Sequence, residues 1–357
     1  MINFLLLTQI TKNIYYNYNK MEKHAIIRNP DMDDMTGKFC WTNLLRYLAS
    51  KPEYYFISRE DAFNGKFPEN NPPETILSFE NIASINKAKI PKGTKIFLII
   101  DDIHHRGETK KLRIRNMKIV SGVFSTYAYC FNKYYPVMNN TYFTPHSAAF
   151  TCKFNEKPIE KLLLSGRLIR YDLYPFRHII YNKSKTNKNI QYLVPNVSYR
   201  FTEKTKKPTA IYGQKFVDQM NRYLACFTCD ASQSRPYIVA KHFEILASGS
   251  LLVAGNINTK HAFEELGFKD MEHYIAVTIE NFDEKLKFIL DPKNRPLIDK
   301  IRRNGHEFVK QKHTYLHRAE FIDSVIKGTA KVEQKTCDIW HAGGTKRSVF
   351  LVPSDKK

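Results

Sequence analysis

Long apolar runs are missing from this chain. No stretch approaches the roughly 18 consecutive apolar residues a helix needs to cross a bilayer, so no membrane span is expected. The opening patch Phe4-Leu5-Leu6-Leu7 is too short for a secretory signal and lacks its basic flank and small-residue cleavage site. Residues 1–20 therefore read as a disordered or weakly attached extension, with Met21 as the effective start of the fold. Cysteine is scarce: six scattered residues exclude a disulfide framework and point to a reducing, cytoplasmic setting. Cys226 and Cys229 form a C-x-x-C, but no second pair or nearby histidine completes four zinc ligands, and the run around them reads as a buried strand. No metal site is expected. Acidic residues fall short as well, 35 against 56 basic ones, leaving a formal charge of +21 and a pI near 9.5. That imbalance attracts polyanions in general, whether nucleic acid, nucleotide-sugar phosphates or an anionic membrane surface touched peripherally. The basic residues are spread along the chain rather than clustered on one face with interleaved aromatics, so specific nucleic-acid binding is not expected. No internal repeat of solenoid length is present.

What remains is a chain of 357 residues, 43% hydrophobic, long enough for two ordinary domains. The most informative stretch is residues 237–255, YIVAKHFEILASGSLLVAG. Residues 241–248 have the spacing of a short amphipathic helix, with Phe243 and Leu246 toward a core and Lys241 and Glu244 three apart on another side. Gly249 supplies a left-handed stop, and Leu251-Leu252-Val253-Ala254 has the length of a strand buried on both faces. Helix, tight turn and parallel strand put residues 230–236 at the carboxyl end of the preceding strand, where open α/β sheets bind ligands. An ammonium and a carboxylate beside that mouth suit phosphate and sugar hydroxyls. The same pair also fits a solvated helix surface, and spacing alone does not choose between the two.

The first half repeats the strand-helix rhythm. Residues 24–28 form a plausible strand, 29–38 a polar loop with Gly37, and 41–48 a helix. Residues 95–100, KIFLII, are the clearest strand, and they run straight into Asp101-Asp102-Ile103-His104-His105. Charged and imidazole groups released at the end of a buried strand are placed for chemistry, and histidine titrates near neutrality. A plain polar turn accounts for them equally well. Further strands are expected over 118–123 and 141–144, the latter leading into Pro145-His146-Ser147-Ala148. Residues 155–158 suit a linker, after which Leu162-Leu163-Leu164 reads as a strand, Ser165-Gly166-Arg167 as its exit, and residues 174–180 as a helix with Pro175 in its first turn. A phosphate sits well at such a helix start, and Arg177 or Arg167 adds bidentate donors. Strands over 210–212 and 222–229 flank a helix over 213–221, and helices over 283–290, 296–313 and 316–326 follow. Residues after Gly328 show no usable period.

The phrase Lys241-His242-Phe243-Glu244-Ile245-Leu246-Ala247-Ser248-Gly249 resembles the K-x-F-E-x-x-A-S/C-G of GT-B fold glycosyltransferases, of the "glycosyl transferases group 1" type that includes the CgeB-like proteins. Ordered matches support it: Glu265-Leu266-Gly267-Phe268, His273-Tyr274-Ile275, Asp291-Pro292, Gly305, and His313-Thr314 with His317-Arg318. The Ser165-Gly166 and Tyr174-Pro175-Phe176-Arg177 phrases also recur in those chains at this place. The likeness covers about residues 162–326 well and the half before it more loosely. It implies an α/β, GT-B architecture of two Rossmann-like domains facing each other across a cleft. Residues 21–155 would form the acceptor domain and 156–327 the nucleotide-sugar donor domain, with the last helix crossing back and residues 328–357 a tail.

The implied activity is transfer of a sugar from a nucleotide-diphosphate sugar to a hydroxyl of a glycan, protein or lipid acceptor. No cofactor beyond that co-substrate is implied, and Asp101-Asp102 matches the D-x-D of metal-dependent enzymes poorly. Donor-binding residues would be Gly166, Arg167, Arg177, Lys241, His242, Glu244, Ser248 and Gly249; His104, Asp102 and His105 would be catalytic. Glu244 matches the second glutamate of the pair that many retaining members carry, whereas the first falls at Pro236. That departure leaves retention of configuration open, together with two rivals: an inactive GT-B-like nucleotide-sugar binder and a basic nucleic-acid-binding protein.

Overall fold

The computed structural model describes residues 22–354 except 29–38, 69–70, 81–85, 104–109, 112, 115–116, 136–137, 139, 167, 169–173, 194–210, 231–236, 256–259 and 342–343. Residues 1–20, Arg167, His104 and His105, of which the sequence raised expectations, therefore lie outside the described residues. Two compact units are present. One takes in Leu44–Thr144 and Ala319–Lys357 with the chain before residue 34, and the other Asp34–Asn43 and Pro145–Arg318.

In the first unit, β1 (His24–Arg28), β2 (Tyr54–Ser58), β3 (Thr75–Phe79), β4 (Lys95–Ile100), β5 (Gly122–Ser125) and β6 (Thr141–Phe143) pair in parallel. In the second, β7 (Ile159–Ser165), β8 (Ile190–Leu193), β9 (Tyr223–Cys229), β10 (Leu251–Gly255) and β11 (Ile275–Ala276) do the same. The stretch after Gly328 forms β12 (Val332–His341) and β13 (Gly344–Pro353), an antiparallel ribbon whose Leu351 pairs with Tyr142 of β6 and so extends the first sheet.

The sheet orders are β12-β13-β6-β5-β4-β3-β1-β2 and β11-β10-β9-β7-β8. Counted from its own first strand, each sheet carries the doubly wound order 2-1-3-4-5, which reverses direction between its first and third strands. Strands flanked by neighbours and covered on both faces must be apolar throughout, which explains the runs rather than alternations in β4, β9 and β10. Every described residue of β9 and β10 is buried. Leu162, Leu164, Phe227 and Val253 form the centre of the second core, joined by Phe176, Ile180 and Phe282 from helices.

The end of the chain is tied to the first unit by a polar network. Asp323 accepts from Tyr54 Oη at 2.7 Å, Lys51 Nζ at 2.8 Å and Lys327 Nζ at 3.1 Å, while Glu320 accepts from Tyr47 Oη at 2.5 Å. Burial works to raise the Asp323 carboxyl, and these three donors outweigh it, so the group sits below its ordinary value.

Two local expectations are corrected. The strand foreseen over 210–212 is absent at Ile211 and Tyr212, where Tyr212 instead stacks on Phe39 at 6.4 Å. The strand foreseen over 118–123 begins only at Gly122, because residues 118–119 close a turn in which Val120 N–H bonds Met117 O. Among the described residues no helix is long and apolar enough to cross a membrane.

Candidate functional site

The switch point of the second sheet lies between the carboxyl ends of β7 and β9. β7 ends in Ser165 and turns at Gly166, whose φ of +122° is open to glycine and closed to residues with a Cβ. A Cβ built there would lie 2.8 Å from Lys241 Nζ and 3.1 Å from Arg177 Cζ. The two cations are therefore no further apart than the sum of those distances, with the bare turn between them. Two unit charges about 6 Å apart repel by about 3 kcal/mol at an effective dielectric of ~20, so this convergence is not a packing convenience.

Each member is held by its own element. Lys241 is in the first turn of the helix Ala240–Ser248, which follows β9, and its Nζ donates to Ser165 O at 2.8 Å. Arg177 is in the first turn of the helix Pro175–Ser184, which proline starts, and lies 6% exposed with its guanidinium 3.9 Å from the Tyr174 ring centre. Tyr192 at the end of β8 donates its hydroxyl to Gly166 O at 3.3 Å. Both carbonyls of the turn are thus pinned, one by Lys241 and one by Tyr192, in a sheet whose strands fix their spacing.

The electrostatics follow from this packing. Burial brings the Lys241 ammonium well below its ordinary pKa, the charge of Arg177 pushes it further down, and Glu244 opposes both. Burial raises the Glu244 carboxyl, and Lys241 offsets part of the rise. Glu244 lies one turn along the same helix from Lys241 and acts on it through its charge.

The remaining helix residues play other parts. His242 is 1% exposed, takes the Val239 N–H on Nδ1 at 3.1 Å and meets Phe263 edge-on at 5.1 Å. Burial pushes it down to about 3, so it stays neutral. Ser248 and Gly249 are at the other end of the helix, about 10 Å from Lys241 at 1.5 Å per residue. There Ser248 Oγ donates to Ile245 O at 2.6 Å, and Gly249, at φ +82°, returns its N–H to Leu246 O at 3.0 Å. The structure does not bring those two to the Gly166 turn.

In the first unit, Asp102 follows β4 and is exposed. Its turn is organised by two residues that no motif announced. Glu80, just past β3 at φ +58°, accepts the N–H groups of Asp101 and Asp102 on Oε1 at 2.5 and 2.6 Å. Arg113, 6% exposed, pairs with Glu80 Oε2 and donates to Asp102 O at 2.9 Å and to Glu80 O at 3.1 Å. Among the described residues no group of three or more His, Cys, Asp or Glu is arranged to hold a metal ion. Cys226 and Cys229 are buried in β9, and burial lifts their thiols to about 12 and about 11.

Solved structures share this architecture. An α-glucosyltransferase in complex with UDP and a 13-mer DNA containing an HMU base matches with a TM-score of 0.57 at 9% identity, over 85% of this chain and 99% of that one. A glycosyltransferase from Rickettsia africae matches at 0.53 and 9% identity, over 86% and 98% of the two chains. HepE from Anabaena, in complex with UDP and glucose, matches at 0.52 and 7% identity, over 86% and 100%. The fold is that of the GT-B glycosyltransferases. Within this GT-B chain, residues 181–324 match the family described as "Glycosyl transferase-like", without singling out the CgeB-like group. No curated protein matches the chain in sequence. The family match begins after Gly166 and Arg177, which the sequence reading had already singled out, while Lys241 and Glu244 lie inside the matched region.

Proposed function

We propose that this protein transfers a sugar from a nucleotide-diphosphate sugar to an acceptor hydroxyl. The observation that carries the reading is the convergence of Lys241 and Arg177 on the bare Gly166 turn at the switch point of a doubly wound sheet. In glycosyl transfer the bond from the anomeric carbon to the diphosphate breaks as negative charge grows on the leaving oxygens. The acceptor oxygen bonds that carbon and gives up its proton. Cations aimed at the leaving oxygens lower the barrier because they act more strongly on the transition state than on the ground state. Lys241 and Arg177 are assigned that role, helped by the amino end of the helix Pro175–Ser184. Glu244 is assigned the ribose hydroxyls, which a carboxylate accepts in pairs. Asp102 is assigned the acid/base or sugar-contact role. Retention of configuration is the stereochemical proposal, read from the product anomer by NMR.

Thermal-shift measurement against UDP, GDP and ADP and their sugars tests the donor reading. One nucleotide family is expected to stabilise the protein, by about 2.7 kcal/mol at 100 times its Kd. No response to any of them at millimolar concentration would sink it.

The formal charge of +21 favours a polyanionic acceptor as a second reading, and the α-glucosyltransferase of like fold was captured with DNA. Transfer of label from a nucleotide sugar to DNA, with binding that weakens steeply as salt rises, supports it. Transfer confined to glycan, protein or lipid acceptors removes it.

A further inference from the structure

The turn after β4 is held more completely than a surface connection requires. Four backbone groups of Asp101 and Asp102 are bonded by three side chains. Glu80 Oε1 takes both N–H groups at 2.5 and 2.6 Å, Thr126 Oγ1 donates to Asp101 O at 3.1 Å, and Arg113 Nη1 donates to Asp102 O at 2.9 Å. The chain accepts a left-handed non-glycine residue to do it, since Glu80 sits at φ +58° while its own N–H stays on Ile99 O at 2.8 Å. Such a conformation is strained and persists where its surroundings over-determine it. Arg113 supplies that surrounding from a buried position, gripping the Glu80 carboxylate and carbonyl together. The product of all this bonding is one exposed side chain, Asp102, on a backbone locked at the carboxyl edge of a parallel sheet.

We propose that Glu80 and Arg113 are positioning residues for glycosyl transfer, holding the Asp101–Asp102 turn so that the Asp102 carboxylate is presented at a fixed place to the reacting sugar or acceptor. The proposal rests on the donor reading above. The clamp is expected to govern turnover and to leave nucleotide affinity unchanged. A group about 1 Å out of place loses on the order of 100-fold in rate while ligands bound elsewhere are unaffected.

The test uses the full chain and two readouts, UDP affinity by calorimetry and release of the nucleoside diphosphate from UDP-glucose, UDP-GlcNAc, UDP-galactose and GDP-mannose. Glu80→Gln keeps the side-chain shape and loses the charge that Arg113 grips; Thr126→Val removes one bond of the turn and serves where Glu80→Gln does not fold. Turnover is expected to fall by roughly 10-fold or more in Glu80→Gln, and less in Thr126→Val, with UDP affinity within about twofold of the parent. Combining either with Asp102→Asn is expected to add no further loss, since the clamp acts through that carboxylate. Losses that multiply in the double variant, or unchanged turnover in both single variants, overturn the proposal. A parent protein that binds UDP but releases nucleotide from none of the four sugars also overturns it, leaving the donor site standing. A parent that binds no nucleotide overturns the donor reading itself.

Discussion

The turn at Gly166 and the turn at Asp101–Asp102 both follow a central parallel strand, and both have a buried arginine beside them. They are built on opposite electrostatic plans. At Asp101–Asp102 the arginine meets a carboxylate, and the carboxylate meets two backbone N–H groups, so charge closes on charge within the protein. At Gly166 the arginine meets a lysine across a residue without a side chain, and burial together with that repulsion depresses the lysine, with Glu244 opposing both. A closed arrangement contributes rigidity; converging cations are the arrangement on which the donor-phosphate proposal rests.

Arg113→Met breaks the closed turn and gives the largest expected effect. Removing one partner of a buried ion pair leaves the other uncompensated, so chemical denaturation should show a loss of about 3–5 kcal/mol from the first unit. Stability within 1 kcal/mol of the parent would mean that the Glu80 carboxylate is not held as described. Gly166→Ala attacks the receiving turn. Its Cβ must displace Lys241 Nζ and the Arg177 guanidinium from a φ that alanine rarely adopts. UDP affinity is expected to drop about 100-fold, or about 2.7 kcal/mol, by calorimetry. Parent-like affinity would remove the glycine turn from the binding site.

Much of this was legible in the sequence where the physics is local. The run Lys95–Ile100 reads as a buried strand because a parallel strand covered on both faces is apolar throughout, and Gly249 reads as a helix stop because its φ of +82° suits glycine. Lys241 and Glu244 stood out through a motif whose spacing puts them on one helix face. Contacts between distant residues were not legible. Glu80 and Arg113 are 33 positions apart, and a glutamate in the left-handed region sends none of the signal that a glycine would. The β13 ribbon escaped for another reason. Ser348, Phe350 and Val352 are buried in alternation, but the intervening Val349 and Leu351 are apolar too, which erases the period-two pattern. Ser248 and Gly249 show the converse: a motif is contiguous in sequence, whereas its helix carries its two ends to different places.

Lys241→Met sharpens the contrast with the smallest expected change and the most specific sign. A charge-assisted hydrogen bond to phosphate is lost, weakening UDP by about 2 kcal/mol. The ligand-free protein should lose little stability, because relief of the Arg177 repulsion offsets the lost Ser165 carbonyl bond and the lost attraction to Glu244. That contrasts with Arg113→Met. The parent should also show a pH dependence that the variant lacks. Burial and Arg177 hold the lysine below its ordinary value, so in the free protein it gives up its proton at a pH where an exposed lysine remains charged. A bound diphosphate favours the ammonium and draws the proton back. UDP affinity is therefore highest below the depressed pKa and falls as pH rises through it, with net proton uptake on binding. Calorimetry in buffers of different ionisation enthalpy measures that uptake directly. Uptake that persists in Lys241→Met, or affinity that climbs with pH in the parent, would place the titrating group elsewhere and leave the two turns without their difference in purpose.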